Sequence, residues 1–274
     1  MRYLQIITII ALVFSLLFAG WANNRYYNNL NTDYPKITNS IDALEISVND
    51  PIEAMYQGLS AEDATDGDLT AQIMIASVSH FFEPSTVRVK YVVFDSHNNS
   101  ATLTRKVHYT DYTAPAFSLD KAPVYTVGSS FDLINHIRVE DCIDGDISDN
   151  IRVVSNMVNN YTAGNYPVVM EVSNSCGDTA QITIWVSYES KESTAIVKLH
   201  QYIVYVEQGQ TFEPKQWLAN VTDENATSLD AANVEIQGNL DVNTPGCYQL
   251  NYRYNDGTFS GHAPLTVVVT ERQA

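Results

Sequence analysis

The sequence predicts an all-β chain in which three tandem β-sandwiches follow one N-terminal hydrophobic helix. Short segments of alternating apolar and polar residues recur along most of the 274 residues. The acidic segment EDATDGDLT, residues 62–70, returns as EDCIDGDIS, residues 140–148, and a charge-free run opens the chain. Alternation with a period of two indicates half-buried strands, and a repeated motif indicates a repeated structural unit.

The charge-free run from Leu4 to Ala22 predicts the helix. Its length is close to the ~20 residues that cross a hydrocarbon core, so we expect an uncleaved membrane anchor with the rest of the chain outside. The alternative is a signal peptide that is cleaved after Ala22, because Gly20 and Ala22 are suitably small. Trp21 stands where a bacterial lipobox has its cysteine, which argues against a lipid anchor. Both hypotheses export the remaining chain.

Residues 23–42 are predicted to be a stalk or linker, because Asn and Tyr dominate the segment and it has no apolar period. The alternative is a disordered segment with no role. Beyond it, alternating segments predict strands at Val87–Phe94, Tyr166–Val172, Gln181–Tyr188, Tyr248–Tyr254 and Ala263–Thr270.

The repeated motifs divide the chain into three units. Glu62 and Glu140 open the two acidic motifs 78 residues apart, and a similar series of strands and turns follows each. The third unit keeps VYVEQGQTF and TPGCY, which match VYTVGSSF and TAGNY of the second, but it has VTDENAT in place of the acidic motif. The predicted units are residues 43–112, 113–190 and 191–272.

Each unit has the strand and turn pattern of an immunoglobulin-like sandwich. The units are shorter than the usual ~100 residues, so one or two middle strands are expected to be missing. Tyr166 and Tyr248 each follow a glycine by two residues and enter a long predicted strand. That is the position of a tyrosine corner, in which the hydroxyl bonds to backbone a few residues upstream.

The acidic motifs, the G-x-Y segments and the hairpins DSHNN and NSCGD together resemble the bacterial Ig-like domain. This family occurs in tandem on Gram-positive surface proteins and in certain pesticidal crystal proteins. The resemblance covers the first two units well and the third partly. It implies an exported, multi-domain surface protein whose units act as spacers or binding modules, and it implies no reaction.

In an immunoglobulin-like unit the acidic motif lies in the B–C loop and the last hairpin is the F–G loop, at the same end of the sandwich. Carboxylates from both loops would then meet, and several oxygen ligands in one place suit Ca²⁺. The candidate ligands are Asp66, Asp68 and Asp95 in the first unit and Asp144, Asp146 and Asp178 in the second. The alternative is a structural turn alone, because Asp-Gly forms turns and Asp caps its own backbone. Calcium would be an optional ligand, and no cofactor is required.

Loop positions also predict a disulfide. Cys142 lies inside the second acidic motif and Cys176 inside the hairpin of the same unit. An exported protein can keep such a bond. Cys247 would remain a thiol on a long strand of the third unit.

The sequence points to a non-catalytic surface protein whose Ig-like units are structural spacers or adhesive interaction modules. The net charge of −17 repels phosphate backbones, so nucleic-acid binding is not expected. The six histidines are scattered, and no nucleophile, metalloprotease or nucleotide motif is present. The alternative function is an extracellular ligand- or glycan-binding module that serves a partner enzyme or surface complex. Tyr109, Tyr112 and Tyr188 are its candidate aromatic platform.

Overall fold

A computed structural model describes residues 2–28, 33–190 and 194–272. The chain divides into two compact units, Met1–Tyr109 (unit 1) and Thr110–Ala274 (unit 2). The first sandwich lies in unit 1, and the second and third sandwiches lie in unit 2.

Helix α1 runs from Arg2 to Asn28. The predicted N-terminal helix is therefore confirmed, and it extends into the first six residues assigned to the stalk. Within the described part of the chain, no helix combines the length and the hydropathy of a membrane span.

The strands of the first sandwich are β1 (Lys36–Asn39), β2 (Ala43–Ile46), β3 (Leu59–Asp63), β4 (Gly67–Asp68), β5 (Met74–Val78), β6 (Thr86–Phe94) and β7 (Ser100–Tyr109). One sheet has the order β1-β3-β4 and the other has the order β2-β7-β6-β5. Strand β1 pairs with β3, Lys36 opposite Glu62. Residues 36–39, which the sequence assigned to the stalk, are thus part of the first sandwich.

Alternation explains why β6 forms the centre of the first core. Its residues Val87, Val89, Tyr91 and Val93 are all 0% exposed, whereas Arg88 between them is exposed. A strand with this pattern buries one face and leaves the other in water.

The strands of the second sandwich are β8 (Ala116–Leu119), β9 (Val124–Thr126), β10 (Ile137–Asp141), β11 (Gly145–Asp146), β12 (Arg152–Asn156), β13 (Gly164–Ser173) and β14 (Thr179–Glu189). Its sheets have the orders β11-β10-β8 and β12-β13-β14-β9. The buried core between them includes Ile137, Val139, Met170 and Ile184.

The strands of the third sandwich are β15 (Ala195–Leu199), β16 (Ile203–Glu207), β17 (Leu218–Asp223), β18 (Val234–Gln237), β19 (Gly246–Asn255) and β20 (Ser260–Thr270). Its sheets have the orders β15-β17 and β16-β20-β19-β18. Tyr252, Leu265 and Val267 lie in its core.

The three sandwiches share one topology. In each, an early strand runs parallel to the last one: β2 with β7, β9 with β14, and β16 with β20. Strands β5, β12 and β18 lead directly into β6, β13 and β19, so the described residues contain no middle strands at these places, as predicted. The all-β, immunoglobulin-like fold class is confirmed.

Both predicted tyrosine corners are confirmed. The Tyr166 hydroxyl donates to the carbonyl oxygen of Thr162 at 2.9 Å, and the Tyr248 hydroxyl donates to that of Thr244 at 2.8 Å. Each bond ties the entry of a long strand to the preceding turn.

The second and third sandwiches pack against each other within unit 2. The Phe117 amide donates to the Tyr205 hydroxyl at 2.7 Å, and Asn165 donates to Gln249 at 2.6 Å. Tyr202 packs against the cores of both sandwiches. Apolar packing and specific hydrogen bonds therefore join the two.

Candidate functional site at the loop end of the sandwiches

The acidic motif is a tight turn built around a buried aspartate at the end of β3 and of β10. Asp63 Oδ1 accepts the backbone amides of Thr65 and Asp66 at 2.8 and 2.9 Å. Asp141 Oδ1 accepts the amides of Ile143 and Asp144, both at 2.9 Å. This repeated geometry is the aspartate turn chemistry predicted from the sequence.

The glycine of each motif has a backbone conformation that other residues adopt at a cost. Gly67 has φ +75° and Gly145 has φ +72°. Left-handed backbone of this kind is disfavoured for residues with a Cβ atom. The turn therefore requires the Asp-Gly sequence at both places.

The third aspartate of each motif caps the following turn. Asp68 Oδ1 accepts the Thr70 amide at 2.8 Å, and Asp146 Oδ1 accepts the Ser148 amide at 2.9 Å. Hydrogen bonds from the side chain of Thr70, and next from its amide, lower the pKa of Asp68. Bonds from Ser148 lower the pKa of Asp146 in the same way.

The acidic turn and the last hairpin meet in both sandwiches, as their predicted B–C and F–G positions require. Asp66 Oδ2 accepts the Ser96 amide at 2.8 Å. Asp144 accepts the Ser175 amide at 2.5 Å and its hydroxyl at 2.7 Å. The second aspartate of each motif thus joins the two loops by hydrogen bonds.

In the first sandwich, Asp66, Asp95 and His97 form a cluster with potential metal ligands. One ligand atom from each residue lies within 4.8 Å of the others. The structure therefore brings together two of the three predicted ligands, Asp66 and Asp95, and adds His97. Asp68 is not in this cluster.

Asp95 is buried at the start of the hairpin, 7% exposed. Its Oδ1 accepts the amides of His97 and Asn99 at 2.8 and 2.7 Å, and its Oδ2 accepts the Asn99 side chain at 2.7 Å. Burial favours a raised pKa for Asp95, but the bonds from Asn99 and His97 outweigh it, and the pKa is lowered. The carboxylate form is the one that binds a cation.

In the second sandwich the three predicted ligands have separate partners. Asp144 holds Ser175, Asp146 caps Ser148, and Asp178 Oδ2 accepts the Tyr112 hydroxyl at 2.6 Å. Among the described residues these three form no metal-ligand cluster.

The sequence predicted that Asn174 faces the acidic motif but did not include it among the likely ligands, and it gave Tyr112 no metal role. Asn174 Nδ2 donates to Asp141 Oδ2 at 3.0 Å and to the Tyr112 hydroxyl at 2.9 Å. Burial, and next the bond to Asp178, raise the pKa of Tyr112. These neutral groups occupy the space between the carboxylates of the second sandwich. The signal was already in the sequence, because Asn174 stands where the first sandwich has Asp95.

The cysteines predicted to form a disulfide are thiols in the structure. Cys142 Sγ donates to the Thr113 carbonyl oxygen at 3.1 Å. Burial raises the pKa of the Cys176 thiol, and Asp144, Asp141 and Cys142 add to the effect. The disulfide stays a prediction.

The three tyrosines proposed as a glycan platform do not form an exposed surface. Tyr109 is 6% exposed and Tyr188 is 2% exposed, because both belong to strand faces that pack on the cores. The Tyr112 hydroxyl is bonded to Asp178. The platform prediction is wrong for Tyr109 and Tyr188, and Tyr112 is half-buried.

A cavity of about 430 Å³ lies beside the junction of the second and third sandwiches in unit 2. Tyr125 and Tyr202 contribute aromatic wall, and Glu189 and His262 contribute polar wall. His262 Nδ1 lies 3.0 Å from Glu189 Oε1, so this pair joins the two sandwiches. Because Glu189 and His262 contact each other, both are explained as residues that pack the second sandwich on the third.

The third sandwich matches a protein-family model. Residues 201–267 match the model described as "Bacterial surface protein, Ig-like domain". The predicted resemblance is confirmed. The match falls on the third sandwich, whose motifs differ most from those of the other two.

One curated relative is the pesticidal crystal protein Cry22Aa of Bacillus thuringiensis. It is 26% identical over 214 residues, which are 75% of this chain and 28% of that protein. The chain thus spans less than a third of this relative.

Two solved structures are among those that the chain matches. The M60 catalytic domain with two CBM51 domains of Clostridium perfringens ZmpB is 12% identical, covers 89% of this chain and 31% of that one, and has a TM-score of 0.25. Drosophila N-cadherin EC1-3 is 11% identical, covers 85% and 98%, and has a TM-score of 0.29. At these scores the likeness says nothing about function.

Proposed function

We propose, from the match of residues 201–267 to the bacterial surface Ig-like family, that the chain is an exported surface protein whose sandwiches act as spacers and interaction modules. Its role is non-catalytic in this proposal. The second sandwich packs on the third. This packing supports the proposal because a spacer has to hold its domains in a fixed arrangement. The bonds from Phe117 to Tyr205 and from Asn165 to Gln249 supply that arrangement within unit 2.

Surface exposure is tested by adding protease to intact Gram-positive cells that express the chain with a C-terminal epitope tag. We expect the tag to be lost before lysis, while a cytoplasmic control protein stays intact. A tag that is protected until the cells are lysed would contradict the proposal.

Attachment through residues 4–22 stays part of this proposal. N-terminal sequencing of the protein from the membrane fraction decides between the two hypotheses. The anchor predicts a chain that still carries residues 4–22, whereas signal cleavage predicts a chain that begins at Asn23.

The glycan-binding alternative has lost the residues that suggested it, since Tyr109 and Tyr188 are buried. A glycan array probed with the purified chain distinguishes the two functions. We expect no selective glycan signal. A single glycan class retained at high salt would favour the alternative.

A further inference from the structure

A buried carboxylate oxygen without a hydrogen-bond partner distinguishes the first sandwich from the second. Asp63 is 6% exposed, and its Oδ2 has no hydrogen-bond partner among the residues that the structure describes. The matching oxygen of the second sandwich, Asp141 Oδ2, accepts the Asn174 side chain at 3.0 Å. Leaving a buried charged acceptor unpaired is unfavourable, so the first site lacks a component that the second one has.

The hairpins of the first and second sandwiches form matching hydrogen bonds. Comparing them identifies the component that the first site lacks. Ser96 and Ser175 both donate their amides to the second aspartate of their motif, Asp66 and Asp144. Asp95 Oδ1 accepts the amide of the residue four positions on, as Asn174 Oδ1 does. Asp95 therefore occupies the position of Asn174. Asp63 Oδ2 therefore lacks the amide donor that Asp141 Oδ2 has in Asn174.

Two further ligand groups lie at the same place. Asp66 and His97 have ligand atoms within 4.8 Å of an Asp95 oxygen. Asp66 is joined to Asp63 by the turn itself, since its amide donates to Asp63 Oδ1 at 2.9 Å. We propose that Asp63, Asp66, Asp95 and His97 bind one divalent cation, and that the matching residues of the second sandwich bind none.

In the first sandwich a cation would be the positive partner of the Asp63 carboxylate, as the Asn174 amide is of the Asp141 carboxylate in the second. It satisfies the unpaired oxygen of Asp63 and removes the repulsion between neighbouring carboxylates. In the second sandwich the amide of Asn174 already occupies that position, and Cys176 replaces His97. The sequence prediction of one site in each of the two motifs is thus restricted to the first.

The donor set selects the type of cation. Carboxylates alone suit Ca²⁺, whereas an imidazole beside carboxylates suits a transition metal that accepts both nitrogen and oxygen. Mn²⁺ fits this mixed set, and it is a convenient probe because the free ion has a strong electron paramagnetic resonance signal.

The experiment is a Mn²⁺ titration of the full chain in detergent, with the free ion counted by electron paramagnetic resonance. We expect one bound Mn²⁺ per chain with a Kd below ~1 mM, the range of many extracellular cation sites. Asp95→Asn copies the second sandwich and should abolish this binding. The new amide can donate to Asp63 Oδ2, but it gives up the bond that Asp95 Oδ2 accepts from the Asn99 side chain. Asp95→Asn combined with Asn99→Asp restores both hairpin residues of the second sandwich and is the variant expected to remain folded without the ion.

Three matched variants locate the ion. Asp68→Asn and Asp144→Asn, in the first and second motifs, should leave one bound Mn²⁺ per chain. His97→Gln changes an exposed residue and should weaken binding at least ten-fold. Circular dichroism of each variant reports the fold independently of the metal.

Several results would overturn the proposal. Binding that survives Asp95→Asn would place the ion elsewhere. Two bound ions, one of them lost in Asp144→Asn, would show that both motifs bind. An unchanged affinity in His97→Gln would remove the histidine from the ligand set.

Discussion

Arg105 is a buried cation with neutral partners. It is 4% exposed on β7, and its guanidinium donates to the Tyr91 hydroxyl at 3.2 Å, to the Gln57 carbonyl oxygen at 2.5 Å and to the Met55 carbonyl oxygen. These bonds tie the loop between β2 and β3 to the core of the first sandwich.

We expect Arg105→Met to reduce the free energy of unfolding of the first sandwich by about 2–4 kcal/mol, because the Gln57 carbonyl oxygen loses its charged donor and the Met55 carbonyl oxygen keeps only the Tyr91 hydroxyl. Urea denaturation measures the loss. The control is Arg88→Met on β6, where the exposed guanidinium lies 3.5 Å from the centre of the Phe82 ring. That contact should contribute only ~0.5–1 kcal/mol. Equal losses in the two variants would contradict the prediction.

Asp256 should titrate below its ordinary range. Bonds from the amides of Phe259 and Thr258, and then from the Tyr254 hydroxyl, lower its pKa. A lowered folded pKa contributes stability at pH values above the unfolded value of ~3.9, and this contribution is lost as the pH falls through the folded value. In Tyr254→Phe we expect the Asp256 pKa, followed by carboxyl NMR, to rise but to stay below the ordinary value. An unchanged pKa would show that the hydroxyl bond is not formed.

The sequence predicted the residues of the acidic turn because Asp-Gly has a strong local preference. It did not predict the difference between the two motifs, since that depends on which hairpin residue faces the buried aspartate. Asp95 and Asn174 occupy matching positions of the repeat. The Asp95 carboxylate can only accept hydrogen bonds, whereas the Asn174 amide also donates one. Arg105 was missed because arginine is seldom fully buried, although alternation places it on the same strand face as the buried Val107 and Tyr109.

At the scale of elements, alternation predicted long strands such as β6, β13, β14, β19 and β20. It did not find β1, whose sequence KITN is short and polar, because this strand is defined by pairing with β3. Intrinsic patterns identify strands that bury a face, whereas short edge strands depend on their neighbours.

The predicted disulfide would join the acidic loop after β10 to the hairpin between β13 and β14. Oxidation should raise the unfolding free energy by about 3–4 kcal/mol on the chain-entropy model. The raised pKa of Cys176 disfavours the reactive thiolate, so the bond should form slowly at neutral pH. Non-reducing peptide mapping of the exported protein tests the bond. Free thiols at both Cys142 and Cys176 would contradict it, and Cys142→Ser is the matched control.

Gly261 on β20 is required by the close approach of β15. A Cβ atom at this position would lie 2.0 Å from the Ala195 carbonyl oxygen, which no side-chain movement can relieve. We expect Gly261→Ala to destabilise the third sandwich by about 1–3 kcal/mol, the usual cost of overpacking. Thermal unfolding measures the effect, and Ser260→Ala, an exposed neighbour on the same strand, should change little. A stable Gly261→Ala variant would show that the two strands separate easily.

At the scale of the whole molecule, the repeated topology followed from the repeated motifs, but the packing within unit 2 did not. Tyr205 looks like an ordinary outward residue of an alternating strand, and only the structure shows Phe117 beside its hydroxyl. Contacts between repeats involve residues that differ from one repeat to the next. A repeat alignment therefore does not reveal them.

The Tyr205 hydroxyl should couple the stability of the second and third sandwiches. In Tyr205→Phe the Phe117 amide loses its acceptor, which should cost about 1 kcal/mol. Tyr248→Phe also removes one hydroxyl bond, to Thr244, but that bond lies inside the third sandwich. We therefore expect faster amide exchange in both β8 and β16 for Tyr205→Phe, and in β19 alone for Tyr248→Phe. If Tyr205→Phe left the exchange of β8 unchanged, the two sandwiches would be neighbours that fold independently, and the fixed spacing proposed for unit 2 would need another origin.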